Sequence, residues 1–270
     1  MIPAQFEYER AGSADEAVEL LGRADDAKIL AGGHSLIPLL RLRFARPSLL
    51  VDVGRLGDLR YVREDGDRVA IGALSRHADL ARDAALAQHC ALVGAVAAGI
   101  GDPQVRHRGT IGGSVAHADP GSDFAAVLLT LDAELVARGP DGERTIAAAD
   151  FFTGPFESAL GQRELLTEIR VPKVADGVYL KYTRRGQDWA TVGVAAARVD
   201  GGVHVGLASM GPTPLRAAAV ESALAGGAPP ADAAAHAAEG MSPPSDVNGT
   251  AAYRAHLAQV LTRRALEQLS

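Results

Sequence analysis

Two glycine-rich clusters carry the residue types best suited to hold a phosphate group. The first, Ala31-Gly32-Gly33-His34-Ser35, follows a short apolar segment and precedes a helix predicted over 35–43. Such a turn directs free backbone N–H groups and the positive end of a helix at an anion. Glycine also lets the backbone approach a ligand closely and adopt positive φ. The cluster therefore predicts a phosphate-binding turn, and a sharp turn without a ligand is the alternative.

The second cluster is Thr110-Ile111-Gly112-Gly113-Ser114, which lies about 80 residues further along the chain. We expect it to offer backbone N–H groups and two small hydroxyl side chains, although a loop that serves only packing would have the same composition. Two such turns on different lobes could face each other and clamp a diphosphate. His107 and His117 flank the cluster, and lone histidines of this kind are more often structural.

Asp123 follows the second cluster and suits a different role. A carboxylate beside a diphosphate would repel it, so we expect Asp123 to accept hydrogen bonds from ligand hydroxyls, as acidic residues do at ribose in dinucleotide sites. The alternative is a helix N-cap, because the apolar run 124–131 comes directly after it.

Motifs for other chemistry are missing from the sequence. It contains no G-x-G-x-x-G, P-loop, H-E-x-x-H, C-x-x-C or G-x-S-x-G pattern. Cys90 is the single cysteine, so the chain forms no internal disulfide and cannot hold an iron–sulfur cluster alone. We therefore expect no metal site and no catalytic residue, and any redox chemistry would have to be supplied by a cofactor.

Composition narrows the class of protein. The 27 basic and 33 acidic residues give a net charge of −6, which disfavours nucleic acid as a partner. No apolar run approaches the ~18 residues of a membrane span, and the first ten residues do not resemble a secretory signal, so we expect a cytoplasmic protein. A small basic run, Arg41, Arg43 and Arg46, either offsets a helix dipole or contacts a partner.

Hydrophobic periodicity and turn residues divide the chain into three parts. Residues 1–56 are predicted to form an α/β lobe with a helix at 13–22 capped by Ser13, a strand at 28–31, a helix at 35–43 and a strand at 49–53. Residues 57–172 are predicted to form a second lobe with strands at 60–63, 68–71, 133–138 and 165–171, helices at 75–82, 86–99 and 122–131, and a loop at 101–113. Beyond a linker at 172–177, residues 177–270 are predicted to contain an antiparallel meander of strands at 178–185, 190–199 and 202–210, then helices at 214–225, 230–239 and 249–268.

Together, AGGHSLIPLL (31–40) and TIGGSVAHADPGSD (110–123) closely resemble the FAD-binding medium subunit of the xanthine dehydrogenase and carbon monoxide dehydrogenase family. The opening MIPAQFEYERAGSADEAVELL, the stretch VDVGRLGDLR and the C-terminal YRAHLAQVLTRRALEQ are similar too, so the resemblance covers nearly the whole chain. It implies an α+β fold: a two-lobed FAD-binding domain of the vanillyl-alcohol-oxidase/MurB type, then a C-terminal domain with an antiparallel sheet and a helical bundle.

The resemblance also implies residue roles. Contacts to FAD are expected from both glycine clusters and their neighbours: Ile29, Leu30, Ala31, Gly32, Gly33, His34, Ser35, Leu36, Thr110, Ile111, Gly112, Gly113 and Ser114. Further contacts are expected from Ile100, Asp123, Leu166, Lys181 and Trp189. Trp189 falls where the carbon monoxide dehydrogenase branch has a tyrosine near the flavin ring.

The function implied by the resemblance is electron transfer within a molybdenum hydroxylase. An iron–sulfur subunit would supply electrons, a large subunit would carry the molybdenum cofactor, and the complex would be a dimer of heterotrimers. Two alternatives stay open at this point: a stand-alone flavin oxidase on the same fold and a nucleotide-binding regulatory protein without catalysis. Neither the substrate nor the final electron acceptor follows from the sequence.

Overall fold

Residues 1–269 are described by the computed structural model, and the first fifty form a small parallel sheet. Its strands are β1 (Glu7–Arg10), β2 (Lys28–Leu30) and β3 (Leu49–Asp52), in the order β1-β3-β2. Two helices connect them, α1 (Ala14–Leu21) and α2 (Leu36–Leu42). The capping prediction for α1 is confirmed, because the Ser13 side chain accepts a hydrogen bond from the Glu16 N–H at 3.1 Å.

An antiparallel sheet follows, in the order β4-β5-β10-β6-β7. The strands of this region are β4 (Val62–Asp65), β5 (Arg68–Gly72), β6 (Glu134–Gly139), β7 (Gly142–Ala147), the separate hairpin β8 (Phe152–Gly154) with β9 (Glu157–Ser158), and β10 (Leu165–Pro172). Its helices are α3 (His77–Leu80), α4 (Ala84–His89), α5 (Ala91–Ala98), α6 (Pro103–Arg108), α7 (Ile111–His117), α8 (Asp123–Thr130) and α9 (Ala148–Phe151). Every residue of α8 is buried, so this helix forms the centre of the core.

One loop prediction and two helix predictions in this region were wrong. The loop expected over 101–113 contains α6, which Asp102 caps by accepting a hydrogen bond from the Val105 N–H at 2.8 Å. This helix was not predicted because glycines flank it on both sides. The helix expected over 86–99 is interrupted at Cys90, whose φ of −157° is not helical, and this separates α4 from α5. The helix expected over 75–82 is confined to α3 because the chain then turns to Asp83, which caps α4.

The C-terminal part is an antiparallel meander with helices behind it. Its strands are β11 (Gly177–Tyr182), β12 (Val192–Val199), β13 (Gly202–Ala208) and β14 (Leu215–Arg216), and its helices are α10 (Ala218–Ala225), α11 (Pro230–Ala234) and α12 (Ala251–Gln268). The predicted turn between β12 and β13 is confirmed, with positive φ at Asp200 and Gly201. Residues 215–216 pair with β13 rather than beginning the expected helix, and the helix expected over 230–239 ends at Ala234.

Close packing joins this meander to the buried helix α8. A Cβ atom at Gly206 in β13 would overlap Thr130 Oγ1 and lie 2.6 Å from the Ala126 carbonyl oxygen, so glycine is required for the approach. In the same C-terminal part, the buried Arg254 of α12 donates to both carboxylate oxygens of Asp246 at 2.8 Å, which anchors the segment 240–249.

The fold is therefore α+β, as the sequence predicted. No helix within residues 1–269 combines the length and the apolar character needed to cross a bilayer.

Candidate functional site

The two glycine clusters lie in contact with each other. The first is the turn from β2 into α2, and a Cβ atom at Gly32 would overlap the carbonyl oxygen of Arg108, just before the second cluster. A Cβ atom at Gly113 would lie 3.8 Å from that of Ala31. The parallel sheet carries the first cluster, and the second forms the N-cap and first turn of helix α7. The tertiary structure thus brings together two clusters that are far apart in sequence.

The first turn has the geometry of an anion cradle. Gly33 has a φ of +79°, a conformation that favours glycine. Within residues 1–269, the backbone N–H groups of Gly33, His34 and Ser35 donate no hydrogen bond. Ser35 occupies the N-cap of α2 but its side chain makes no capping bond. These donors are available to a ligand, and an anionic group suits them best.

The second turn differs from the expectation, because its N–H groups are already engaged. Their acceptors lie within the chain: Ser75 O for Ile111 at 3.0 Å, Ala73 O for Gly112 at 2.8 Å, Thr110 Oγ1 for Gly113 at 3.2 Å and Thr110 O for Ser114 at 3.0 Å. The expectation of free N–H donors from 111–114 is therefore wrong. Thr110 uses its hydroxyl to cap α7 instead. What this turn offers is the Ser114 hydroxyl and a backbone that permits close approach.

A cavity of about 170 Å³ opens where the two turns meet. Ala31, Gly32 and Thr110 line it together with four arginines, Arg55, Arg60, Arg76 and Arg108. Arg60 is paired with Asp79, its Nη2 lying 2.6 Å from Oδ2, whereas no carboxylate in the described part of the chain pairs with the other three. A concave site with unneutralised arginines raises the local concentration of anions. The sequence pattern did not group these arginines because they come from three separate segments, 55–60, 76 and 108.

Asp123 lies in a second polar cluster, at the start of α8. Its Oδ1 accepts from the Tyr179 hydroxyl at 2.6 Å and its Oδ2 from Lys181 Nζ at 2.6 Å. Lys181 also donates to the Gly99 carbonyl oxygen at 3.1 Å. The N-cap interpretation of Asp123 was wrong, since Ser122 occupies that position. The cluster ties β11 to the end of α5 and to α8.

Tyr179 is a functional candidate that the sequence analysis overlooked. Burial, and secondarily the neighbouring Asp123 carboxylate, raise the pKa of Tyr179 well above its usual value, so the hydroxyl stays protonated and donates. Its position two residues before Lys181 on a strand places both side chains on the same face. That spacing was the available signal.

The remaining predicted residues surround these clusters without joining them. Ile29 and Leu30 lie in β2, and Leu36 begins α2. Ile100 is half-buried, and its carbonyl oxygen accepts from Arg106 at 2.9 Å. Leu166 is buried in β10, so only its backbone or its packing could influence a ligand. Trp189 is 66% exposed. It lies beside Gly121, a residue of the loop that connects α7 to α8.

His77 lies buried behind both turns. Its backbone N–H donates to the Gly109 carbonyl oxygen at 3.1 Å, and its ring lies 5.5 Å from the ring of Phe124. Burial, with smaller contributions from His34 and Arg106, lowers the pKa of His77 to about 4. The ring is therefore neutral at pH 7, and within residues 1–269 its buried Nδ1 has no hydrogen-bond partner.

Comparisons with known proteins agree over the whole chain. The family described as the FAD binding domain in molybdopterin dehydrogenase matches residues 4–174, and the family described as the CO dehydrogenase flavoprotein C-terminal domain matches residues 177–269. The carbon monoxide dehydrogenase medium chain of Hydrogenophaga pseudoflava is 41% identical, over 98% of this chain and 97% of its own length. Caffeine dehydrogenase subunit beta of Pseudomonas sp. (strain CBB1) is 34% identical, over 98% and 95%.

Solved structures give the same result. Carbon monoxide dehydrogenase from Hydrogenophaga pseudoflava matches with a TM-score of 0.95 and 42% identity, covering 100% of this chain and 98% of that one. Quinoline 2-oxidoreductase from Pseudomonas putida 86 matches with a TM-score of 0.94 and 30% identity, again covering 100% and 98%.

Asp123→Asn should destabilise the protein without ligand. The substitution keeps the shape but removes the charge, and it leaves the Lys181 ammonium, whose side chain is only 18% exposed, without its carboxylate. We expect a loss of about 3–5 kcal/mol in the free energy of unfolding, measured with urea. Tyr179→Phe removes one hydrogen bond to the same carboxylate and should cost about 1.5–3 kcal/mol. Wild-type stability of Asp123→Asn would contradict the structural role of the cluster.

His77 should make stability depend on pH below neutrality. Its folded pKa of about 4 lies below the ordinary value of 6.5, so the unfolded state binds the proton more tightly. Its contribution is complete above pH 6.5 and is lost as the pH falls towards 4, with about 2 kcal/mol lost by pH 5. Urea unfolding at pH 7 and pH 5 should show a difference about 2 kcal/mol smaller in His77→Gln than in wild type. Equal differences would exclude this role.

Proposed function

This chain belongs to the family of FAD-binding flavoprotein subunits of molybdopterin dehydrogenases, and from that premise we propose that it is the electron-transfer subunit of a molybdenum-containing hydroxylase. The observation that carries the proposal is the pair of contacting glycine turns at an arginine-lined cavity. Free N–H donors and unpaired arginines suit the diphosphate of FAD, so the residues present fit this cofactor. When bound, FAD supplies redox chemistry that exchanges electrons singly or in pairs.

We propose that the diphosphate lies against the N–H groups of Gly33, His34 and Ser35. The second turn contributes close approach and the Ser114 hydroxyl, since its own N–H groups are engaged. Asp123 accepts hydrogen bonds from cofactor hydroxyls through lone pairs that Tyr179 and Lys181 leave free. The other proposed contacts are Ile29, Leu30, Ala31, Gly32, Leu36, Ile100, Thr110, Ile111, Gly112, Gly113, Leu166, Lys181 and Trp189.

The donor of electrons must be a different chain. Cys90 is the only cysteine, it is buried, and burial raises the pKa of its thiol to about 11, which disfavours the thiolate that metal clusters require. The relatives include proteins named as medium chains and as a subunit of a dehydrogenase complex. We propose a small iron–sulfur subunit as donor and a large molybdenum-cofactor subunit as the site of substrate oxidation, assembled as a dimer of heterotrimers in the cytoplasm.

We also propose a division of the chain into two domains. We assign residues 1–172 to the FAD-binding domain, with lobes at about 1–56 and 57–172, and residues 177–270 to the C-terminal domain. The cavity between the two lobes supports this assignment, because it is lined by residues from both. The Asp123–Lys181 ion pair would then hold the C-terminal domain against the FAD-binding domain.

Valine at Gly33 or Gly113 should abolish FAD binding. A branched side chain would prevent the close approach of backbone and diphosphate, so we expect affinity to fall at least ~100-fold, the scale of a few charge-assisted hydrogen bonds. The ratio of FAD to protein after gel filtration measures the effect, and circular dichroism checks folding. Gly226→Ala, at the end of α10, is the matched control and should keep its FAD. Full occupancy in folded Gly33→Val and Gly113→Val would refute the site.

The isolated chain should bind FAD but lack substrate oxidation. Anaerobic absorption spectra should show no flavin reduction by carbon monoxide, aldehydes or N-heterocycles, because no other redox centre is present to pass electrons on. The same substrates, tested with the complete complex, should include one that bleaches the flavin band. Rapid reduction of the metal-free isolated chain by one of them would favour a stand-alone oxidase instead.

A further inference from the structure

Helix α2 is apolar yet hardly buried. Five of its seven residues are aliphatic: Leu36, Ile37, Leu39, Leu40 and Leu42. Leu40 alone among the seven is buried. A helix that is apolar on most of its surface is normally enclosed by other elements. The exposed part of α2 therefore lacks a partner within residues 1–269.

Exposed apolar side chains gather around the end of this helix. Of the eleven large hydrophobic residues exposed in the described chain, five are Met1, Ile2, Ile37, Leu42 and Phe44. Phe44 is 80% exposed and Ile2 is 81% exposed. Arg43 Nε donates to the Ile2 carbonyl oxygen at 3.2 Å, which holds the N-terminal segment beside the end of α2. Several exposed apolar residues on one short helix and the segments beside it indicate an interaction site, whereas single exposed apolar residues do not.

The same region is positively charged on an acidic chain. Arg41, Arg43 and Arg46 adjoin the apolar residues, and none of them forms an ion pair with a carboxylate of residues 1–269. Arg46 instead donates to the Arg43 carbonyl oxygen at 3.1 Å. Offsetting the dipole of a seven-residue helix does not require three guanidinium groups. We define the α2 patch as Ile2, Ile37, Leu42 and Phe44 with Arg41, Arg43 and Arg46.

The positive charge of the α2 patch indicates which type of partner could bind there. A second copy of this chain, bound by the same surface on both molecules, would place these arginines against each other. A partner that presents carboxylates around an apolar contact would instead neutralise them. Arginine and phenylalanine are also among the residues enriched at protein interfaces.

The position of the α2 patch indicates which subunit of the proposed complex would bind there. Helix α2 begins directly after Ser35, whose N–H is among the free donors of the first turn, and seven residues span roughly 10 Å. A protein on this patch therefore lies beside the proposed flavin cleft. We propose that the α2 patch docks the iron–sulfur subunit through an apolar contact surrounded by that subunit's carboxylates. This inference rests on the proposed function.

The test measures how strongly the FAD-loaded chain binds its co-expressed iron–sulfur subunit, by titration calorimetry. We expect Leu42→Ser combined with Phe44→Ser to weaken binding at least tenfold, because apolar anchors dominate such interfaces. Arg41→Glu combined with Arg46→Glu should slow association and make it less sensitive to salt. Val247→Ser, at an 86% exposed residue of the segment 240–249, is the matched control and should bind like wild type.

The outcomes separate the inference from the proposed function. A wild-type chain that holds no FAD, or does not bind the iron–sulfur subunit, would refute the proposed function. Wild-type affinity in Leu42→Ser/Phe44→Ser, with FAD content and circular dichroism unchanged, would refute only the docking surface. Loss of the large subunit alone, of self-association, or of binding to anionic phosphatidylserine vesicles would likewise overturn it, because the patch would then serve another partner.

Discussion

The contact between two backbone turns is the constraint on which the site depends. The carbonyl oxygen of Arg108 lies where a Cβ atom of residue 32 would be, so glycine is required and the two segments approach to backbone distance. The arginine-lined cavity opens beside this contact, and the free N–H groups of Gly33, His34 and Ser35 directly follow its lining residue Gly32 in the chain. A side chain at residue 32 would push these two segments apart. The cavity therefore depends on the close packing of the two backbones.

A second long-range contact positions the meander against helix α8. The carboxylate of Asp123 is held by Tyr179 and Lys181, both on β11, and this places a buried charge where α8 begins. Buried charges are stable only when they are paired and hydrogen-bonded, so the strand and the helix cannot move independently at low cost. This cluster fixes the position of β11 relative to α8, while the residues that line the cavity include no cysteine or histidine that could bind an iron–sulfur cluster. The absence of cluster ligands suits a subunit that receives electrons from another chain.

Some features of the site could be predicted from the sequence because they depend on neighbours in the chain. The capped helix after Ser13, the turn from β2 into α2 and the hairpin at Asp200-Gly201 all follow from local backbone preferences. The helix α6 and the break at Cys90 were missed because the local residue pattern there favours a different structure. Glycines around α6 suggested a loop, and the apolar run across Cys90 concealed a non-helical residue that tertiary packing imposes.

The sequence by itself determined the family, the α+β class and the two glycine turns, because these are carried by residue types at short spacing. Tertiary structure alone decided what each turn can donate. The N–H groups of Ile111 and Gly112 were expected to be free, yet they bond to Ser75 and Ala73, which the fold brings beneath them. It also decided that arginines from three separate segments line one cavity and that Tyr179 contacts Asp123. Hydrogen bonds and charges act over a few ångströms of space, and their partners here are separated by tens of residues of chain.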